Sequence, residues 1–161
     1  MPSTPHPSYV KLKGFLENRP VCRKASAPLK PHACVRVLFS DHEGTYCFRR
    51  SSEGPRLEPG CPEDPDFTLR MPPAMLDRLC RMVSDDIGEF GAILLGEGIS
   101  GEPELRMSGT IHTGFFDLFR KGYFGILRLG GWKVMKVLAA KGVTGIGAIR
   151  EKINRNVKPV E

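Results

Sequence analysis

Five cysteines, four histidines and eighteen acidic side chains are the groups in this 161-residue sequence with chemistry to offer. Cys22, Cys34, Cys47, Cys61 and Cys80 follow one another at intervals of 12, 13, 14 and 19 residues. The number is odd and no C-x-x-C pair starts a zinc or redox site, so reduced, mostly buried thiols are expected. His32 with Cys34, and His42 with Cys47, offer mixed donors at spacings that follow no known metal loop. No metal and no cofactor is therefore expected. Ser108, His112 and Asp117 are the residue types of a catalytic triad, but a strand-end histidine in an ordinary hydrogen bond describes them more simply. The sequence contains no G-x-S-x-G elbow, no H-E-x-x-H, no P-loop and no G-x-G-x-x-G. Gly142, Gly145 and Gly147 are too loosely spaced to cradle phosphate and read as a hinge between two helices. The expectation is a protein that is not an enzyme.

The elements that would position a binding site are clearer. Cys34 to Phe39 is a β-branched and aromatic run, Ser40-Asp41-His42-Glu43-Gly44 is turn chemistry, and Thr45 to Arg49 returns as a second strand. The segment 51–65 holds four prolines and leaves room for one short strand around Arg56-Leu57-Glu58. Phe67, Leu69 and Met71 then alternate with Asp66, Thr68 and Arg70, the signature of a half-buried strand. Pro72-Pro73 stops it and pre-sets a helix on which Met75, Leu76, Leu79 and Val83 share a face. After an apolar run from Phe90 to Leu95, Gly96, Gly98 and Gly101 read as a turn. Leu105, Met107, Gly109 and Ile111 alternate as a second clean strand.

Beyond Gly114 the chain becomes apolar and aromatic, with six of the thirteen aromatic residues between 115 and 132. Gly130-Gly131 predicts a break before a helix over Trp132–Lys141, with Gly142 as its stop signal. A last amphipathic helix is expected over 146–158, where Ile146, Ile149, Ile153 and Val157 form a stripe among Arg150, Lys152, Arg155 and Lys158. Residues 1–31, with six prolines, read as a basic segment carrying one short helix near 8–18.

Charge is distributed unevenly along the chain. Residues 1–36 carry seven Lys/Arg against one Glu (+6), residues 37–105 six against fourteen acids (−8), and residues 106–161 eleven against three (+8). Two basic ends flank an acidic middle, so they either fold back on it or face an anionic partner. The chain lacks a nucleic-acid fold signature, and its late aromatics sit among Leu and Ile as core residues do, so a nucleic-acid partner is the weaker reading. The longest stretches free of Asp, Glu, Lys and Arg are ten residues, about half of the roughly 18–20 apolar residues a membrane span needs. With no apolar signal region near Met1, a cytoplasmic protein is the expectation.

The order hairpin, connection, strand, immediate helix, spacer, strand, apolar helix resembles the sterol carrier protein 2 (SCP2-like) lipid-binding domain. The residues that carry the resemblance are Asp66-Phe67-Thr68-Leu69-Arg70-Met71 running into a helix, and Glu104-Leu105-Arg106-Met107-Ser108-Gly109 leading into a hydrophobic helix. The resemblance spans roughly residues 33–127. It differs from the family in Phe67, in a glycine displaced to Gly101, and in a proline-rich stretch where the family has an N-terminal helix.

The resemblance implies an α+β fold, a small mostly antiparallel sheet covered by helices and enclosing an apolar cleft or tunnel. The implied function is non-enzymatic binding or transfer of a fatty acid, acyl-CoA, sterol or phospholipid. Roughly 0.8 kcal/mol per methylene moved out of water makes an apolar cleft sufficient chemistry for that role. Leu69, Met71, Leu76, Leu79, Met107, Ile111, Phe115, Phe116 and Phe119 are the expected lining. The corresponding division is 1–31 as N-terminal segment, 32–129 as lipid-binding domain and 130–161 as helical extension. The helix 146–158 is the candidate contact with an anionic membrane surface.

Overall fold

Val35, Val37 and Phe39 point to one side of their strand and Arg36 and Leu38 to the other, and this alternation propagates through one five-stranded sheet. The computed structural model describes residues 4–140, 142 and 151. β1 (Val35–Phe39) and β2 (His42–Ser51) form the expected hairpin, and β3 (Gly54–Pro59) adds to the outer edge of β2. β4 (Phe67–Met71) runs parallel to β1, and β5 (Ser108–Ile111) pairs antiparallel with β4. The strand order is β3-β2-β1-β4-β5. The fold is α+β, with a mostly antiparallel sheet packed against helices.

Register brings the apolar side chains together. Val37 lies opposite both Tyr46 and Leu69, Phe39 opposite Met71, and Phe48 opposite Leu57. Three helices cover this face: α1 (Pro7–Asn18), α2 (Pro20–Ser26) and α3 (Pro73–Cys80). Each begins with proline, whose fixed φ and missing N–H suit the first helical position. Tyr9, Leu12 and Phe15 of α1, Val21 and Cys22 of α2, and Met75, Leu76 and Leu79 of α3 are buried in one cluster with the sheet. Tyr9 stacks on Tyr46 with ring centroids 4.5 Å apart. Residues 7–26, expected as a proline-rich stretch with one short helix, thus supply two helices to the main core.

The second layer of helices departs further from expectation. α4 (Ile87–Ala92) continues through a π turn (Ile93–Glu97) into α5 (Gly98–Ser100), so Gly96 and Gly98, expected in a turn, are helical, and Gly101 ends α5 in an extended conformation. A side chain at Gly91 or Gly96 would strike Val134 or Val137 of the facing helix, and glycine permits that close packing. A single 3₁₀ turn (Pro103–Leu105) then takes the first part of the expected strand, shortening it to β5. α6 (Phe115–Arg120) is followed by α7 (Tyr123–Ala140), which breaks at Gly131 with φ of 61°. That break is the one Gly130-Gly131 predicted, and the expected division after residue 129 falls inside α7 just before it. Lys141 and the helix expected over 146–158 lie outside the described residues.

Ion pairs show how the charge blocks are used. Lys11 and Arg19 from the basic N-terminal block pair with Asp77 and Asp85, while Lys121 and Lys133 from the C-terminal block pair with Asp66 and Asp86. Among the described residues, both basic blocks thus pair with the acidic middle.

Candidate functional site

The nine residues expected to line a ligand cleft separate into two groups. Met71, Leu76, Leu79 and Met107 are buried in the main core, with half-buried Leu69 packed against them. Ile111 sits half-exposed at the end of β5, on the core side of the sheet by its pairing with Phe67. Phe115, Phe116 and Phe119 lie on α6, and they are 51, 79 and 65% exposed. The first group is brought together as packed core and the last as an uncovered surface. Two concavities, of about 290 and 420 Å³, are lined by other residues.

α6 presents its phenylalanines because its C-terminal end is clamped. Asp66, 2% exposed, accepts hydrogen bonds from the Cys34 N–H at 2.9 Å and the Tyr123 hydroxyl at 2.9 Å, and pairs with the Lys121 ammonium. The Asp66 backbone also bonds the Cys34 carbonyl and the His112 N–H, at 2.9 Å each. Through its carboxylate and its backbone, Asp66 thus ties the start of β1 and the end of β5 to the α6–α7 junction. Burial and the Asp66 carboxylate push the Tyr123 hydroxyl well above the usual phenol range, so it remains a donor. Gly122, at φ of 89°, lies so close to the Pro28 carbonyl that no side chain fits.

From this anchored junction, Phe124 packs against Phe115 and Phe119 with ring centroids 5.1 and 6.1 Å apart. Phe115 meets Phe116 edge-on at 6.0 Å. On α7, Trp132 is 77% exposed and Met135 57%, with Arg128 and Lys136, and Arg120 at the end of α6, also in solvent. Exposed aromatics accompanied by cations are the chemistry of a surface that meets an apolar, anionic partner. His112 joins Thr68 through Nε2 and the hydroxyl at 2.7 Å, the ordinary strand-end bond expected of it.

On the opposite side of the sheet from the core, three sulfurs converge that sequence spacing kept apart. Cys34 Sγ lies 2.8 Å from Cys47 Sγ and 3.7 Å from Cys61 Sγ, and all three sulfurs lie within 4.8 Å of one another. Cys47 faces Arg36 across the hairpin, which places it diagonal to Cys34, and the loop after β3 brings Cys61 over them. Arg49 donates to Cys47 Sγ at 3.6 Å, and Arg36 donates to the Pro62 carbonyl at 2.8 Å, beside Cys61. Burial, reinforced by the neighbouring thiols, pushes the Cys34 thiol far up. Burial also raises the Cys61 thiol. The signal lay in hairpin register, since pairing β1 with β2 aligns Cys34 and Cys47 on one face.

No family model matches the chain, and no curated protein matches it in sequence. Among solved structures it is similar to a chain described as "UbiJ-SCP2 Ubiquinone synthesis protein", at 17% identity and a TM-score of 0.39. The match covers 76% of this chain and 90% of that one.

Proposed function

We propose that the protein binds or transfers a hydrophobic ligand, a fatty acid, acyl-CoA, sterol or phospholipid, without catalysing a reaction on it. The observation that supports this reading is the uncovered face of α6, where Phe115, Phe116 and Phe119 stand in water. Burying a phenylalanine side chain is worth roughly 1.5–3 kcal/mol, so covering this face with acyl or sterol carbon is a substantial driving force. Arg120, Arg128 and Lys136 are exposed on the same two helices and suit a carboxylate or phosphate headgroup. Deeper insertion would carry a ligand toward Leu69, Met71, Leu76, Leu79, Met107 and Ile111. Met71 and Met107 are the side chains there best able to repack around it.

Native mass spectrometry and solvent extraction of the purified protein, with displacement of a fluorescent fatty acid, test the reading. The expected result is recovered lipid or saturable displacement. Recovery of no lipid together with no displacement overturns it. Binding to mixed-sequence DNA or RNA with steep salt dependence, in a protein that takes no lipid, would replace it with a nucleic-acid role.

A further inference from the structure

The three-thiol cluster lies on the face of the sheet opposite the main core, and the proposed lipid role does not use it. We propose that Cys34, Cys47 and Cys61 form a three-coordinate site for Cu(I).

Three features of the cluster match this ion. The first is donor number and type: three sulfurs gather, and among the described residues no histidine or carboxylate joins them to make a fourth ligand. Structural zinc takes four protein ligands, whereas soft thiolate donors are well matched to Cu(I). The second is distance. Thiolates held at about 2.3 Å from a shared ion keep their sulfurs about 3.8–4.0 Å apart. The Cys34 to Cys61 separation of 3.7 Å already fits, and the Cys34 to Cys47 pair at 2.8 Å opens by a small side-chain rotation. The third is charge. Three thiolates around a monovalent ion leave two negative charges, and two guanidinium groups stand beside them: Arg49 donates to Cys47 Sγ, and Arg36 donates to the carbonyl of Pro62, the residue after Cys61. Binding breaks three S–H bonds, forms three Cu–S bonds and releases three protons to solvent. No electron is transferred.

The test is an anaerobic titration of the reduced full-length protein with Cu(I) against a chromophoric Cu(I) chelator. One equivalent per chain is expected, with an ultraviolet sulfur-to-copper band. Cys34→Ser, Cys47→Ser and Cys61→Ser should each weaken binding at least a hundredfold, while Cys80→Ser leaves it within about twofold. A measurement on the wild type covers the case in which a serine variant fails to fold. Cu(I) should protect Cys34, Cys47 and Cys61 from maleimide alkylation and leave the reactivity of Cys80 unchanged. The proposal is overturned by the absence of a one-equivalent site, by wild-type affinity in the Cys34→Ser/Cys61→Ser variant, or by protection that falls on Cys80. A preference for Zn(II) over Cu(I) at the same cysteines, or a Cys34–Cys47 disulfide in protein isolated anaerobically, would also overturn it.

Discussion

Helices α3 and α6 carry apolar residues at the same i, i+1, i+4 spacing: Met75, Leu76 and Leu79 on one, Phe115, Phe116 and Phe119 on the other. The α3 residues are 0, 1 and 2% exposed, whereas each of the α6 residues is more than half exposed. Both helices follow a strand of the same sheet closely. The difference lies in what holds them. Pro72-Pro73 turns α3 directly from β4 onto the sheet, beneath α1, and its face closes against the core. α6 is secured at its far end by the Asp66 clamp on Lys121 and Tyr123, and this fixes its position without covering its phenylalanines. Spacing therefore defines a face, and long-range anchoring decides whether that face becomes core or stays exposed.

Substitutions on the two faces should diverge most. Leu76→Ala is expected to cost about 3 kcal/mol of unfolding free energy, as a large-to-small change in a filled core. Phe116→Ala should stay within about 0.5 kcal/mol of wild type. Urea denaturation compares them directly, and equal losses would erase the distinction between the faces. Next in size is the clamp. Asp66→Ala leaves Lys121, the Tyr123 hydroxyl and the Cys34 N–H without their shared acceptor, at a cost of about 3 kcal/mol. Hydrogen exchange should rise first at residues 121–125 if the clamp holds the junction; protection unchanged there would show that α6 is positioned otherwise. Gly122→Ala sharpens the same point, since positive φ and the Pro28 carbonyl together predict a loss of about 2 kcal/mol. A melting temperature equal to wild type would contradict it.

The smallest expected effect belongs to pH on the covered side. Burial raises the Glu17 carboxyl, but hydrogen bonds from Lys13 and the Leu57 N–H, with Arg56 nearby, lower it on balance below its ordinary value. A depressed folded-state value gives stability that is present above the unfolded pKa and lost as pH falls through the folded one. Glu17→Gln should therefore flatten the stability curve below about pH 4.5, by about 0.5 kcal/mol. A curve that still parallels wild type there would remove Glu17 from the account.

Much of the fold is readable along the chain, for reasons the individual elements show. β4 and the helix after it are local, since strict alternation and a proline pair define both ends. Gly131 supplies the break in α7 because only a residue tolerant of positive φ suits it. The short helix expected near 8–18 is α1, but α2 is not legible in the proline-rich stretch, although Pro20 at its first position starts the helix, and both belong to the core. Gly96 and Gly98 read as turn residues because their packing, against Val137 of α7 and against Met107, depends on distant chain. The candidate sites divide similarly. The apolar pattern of α6 is visible in sequence but its exposure is not, because coverage is a property of the neighbours. The cysteine trio follows no ligand spacing; it depends on hairpin register and on a loop crossing the sheet.

The proposed function puts first contact with a hydrophobic ligand on the open face of α6 rather than in the filled core beside α3. The most direct measurement is the affinity of a fluorescent fatty acid for wild type, for Phe116→Ser/Phe119→Ser, and for Leu79→Met, with unfolding curves recorded on the same samples. The account predicts that the α6 variant keeps wild-type stability and loses at least tenfold in affinity, while Leu79→Met changes affinity by less than about twofold. Wild-type affinity in the α6 variant would contradict it.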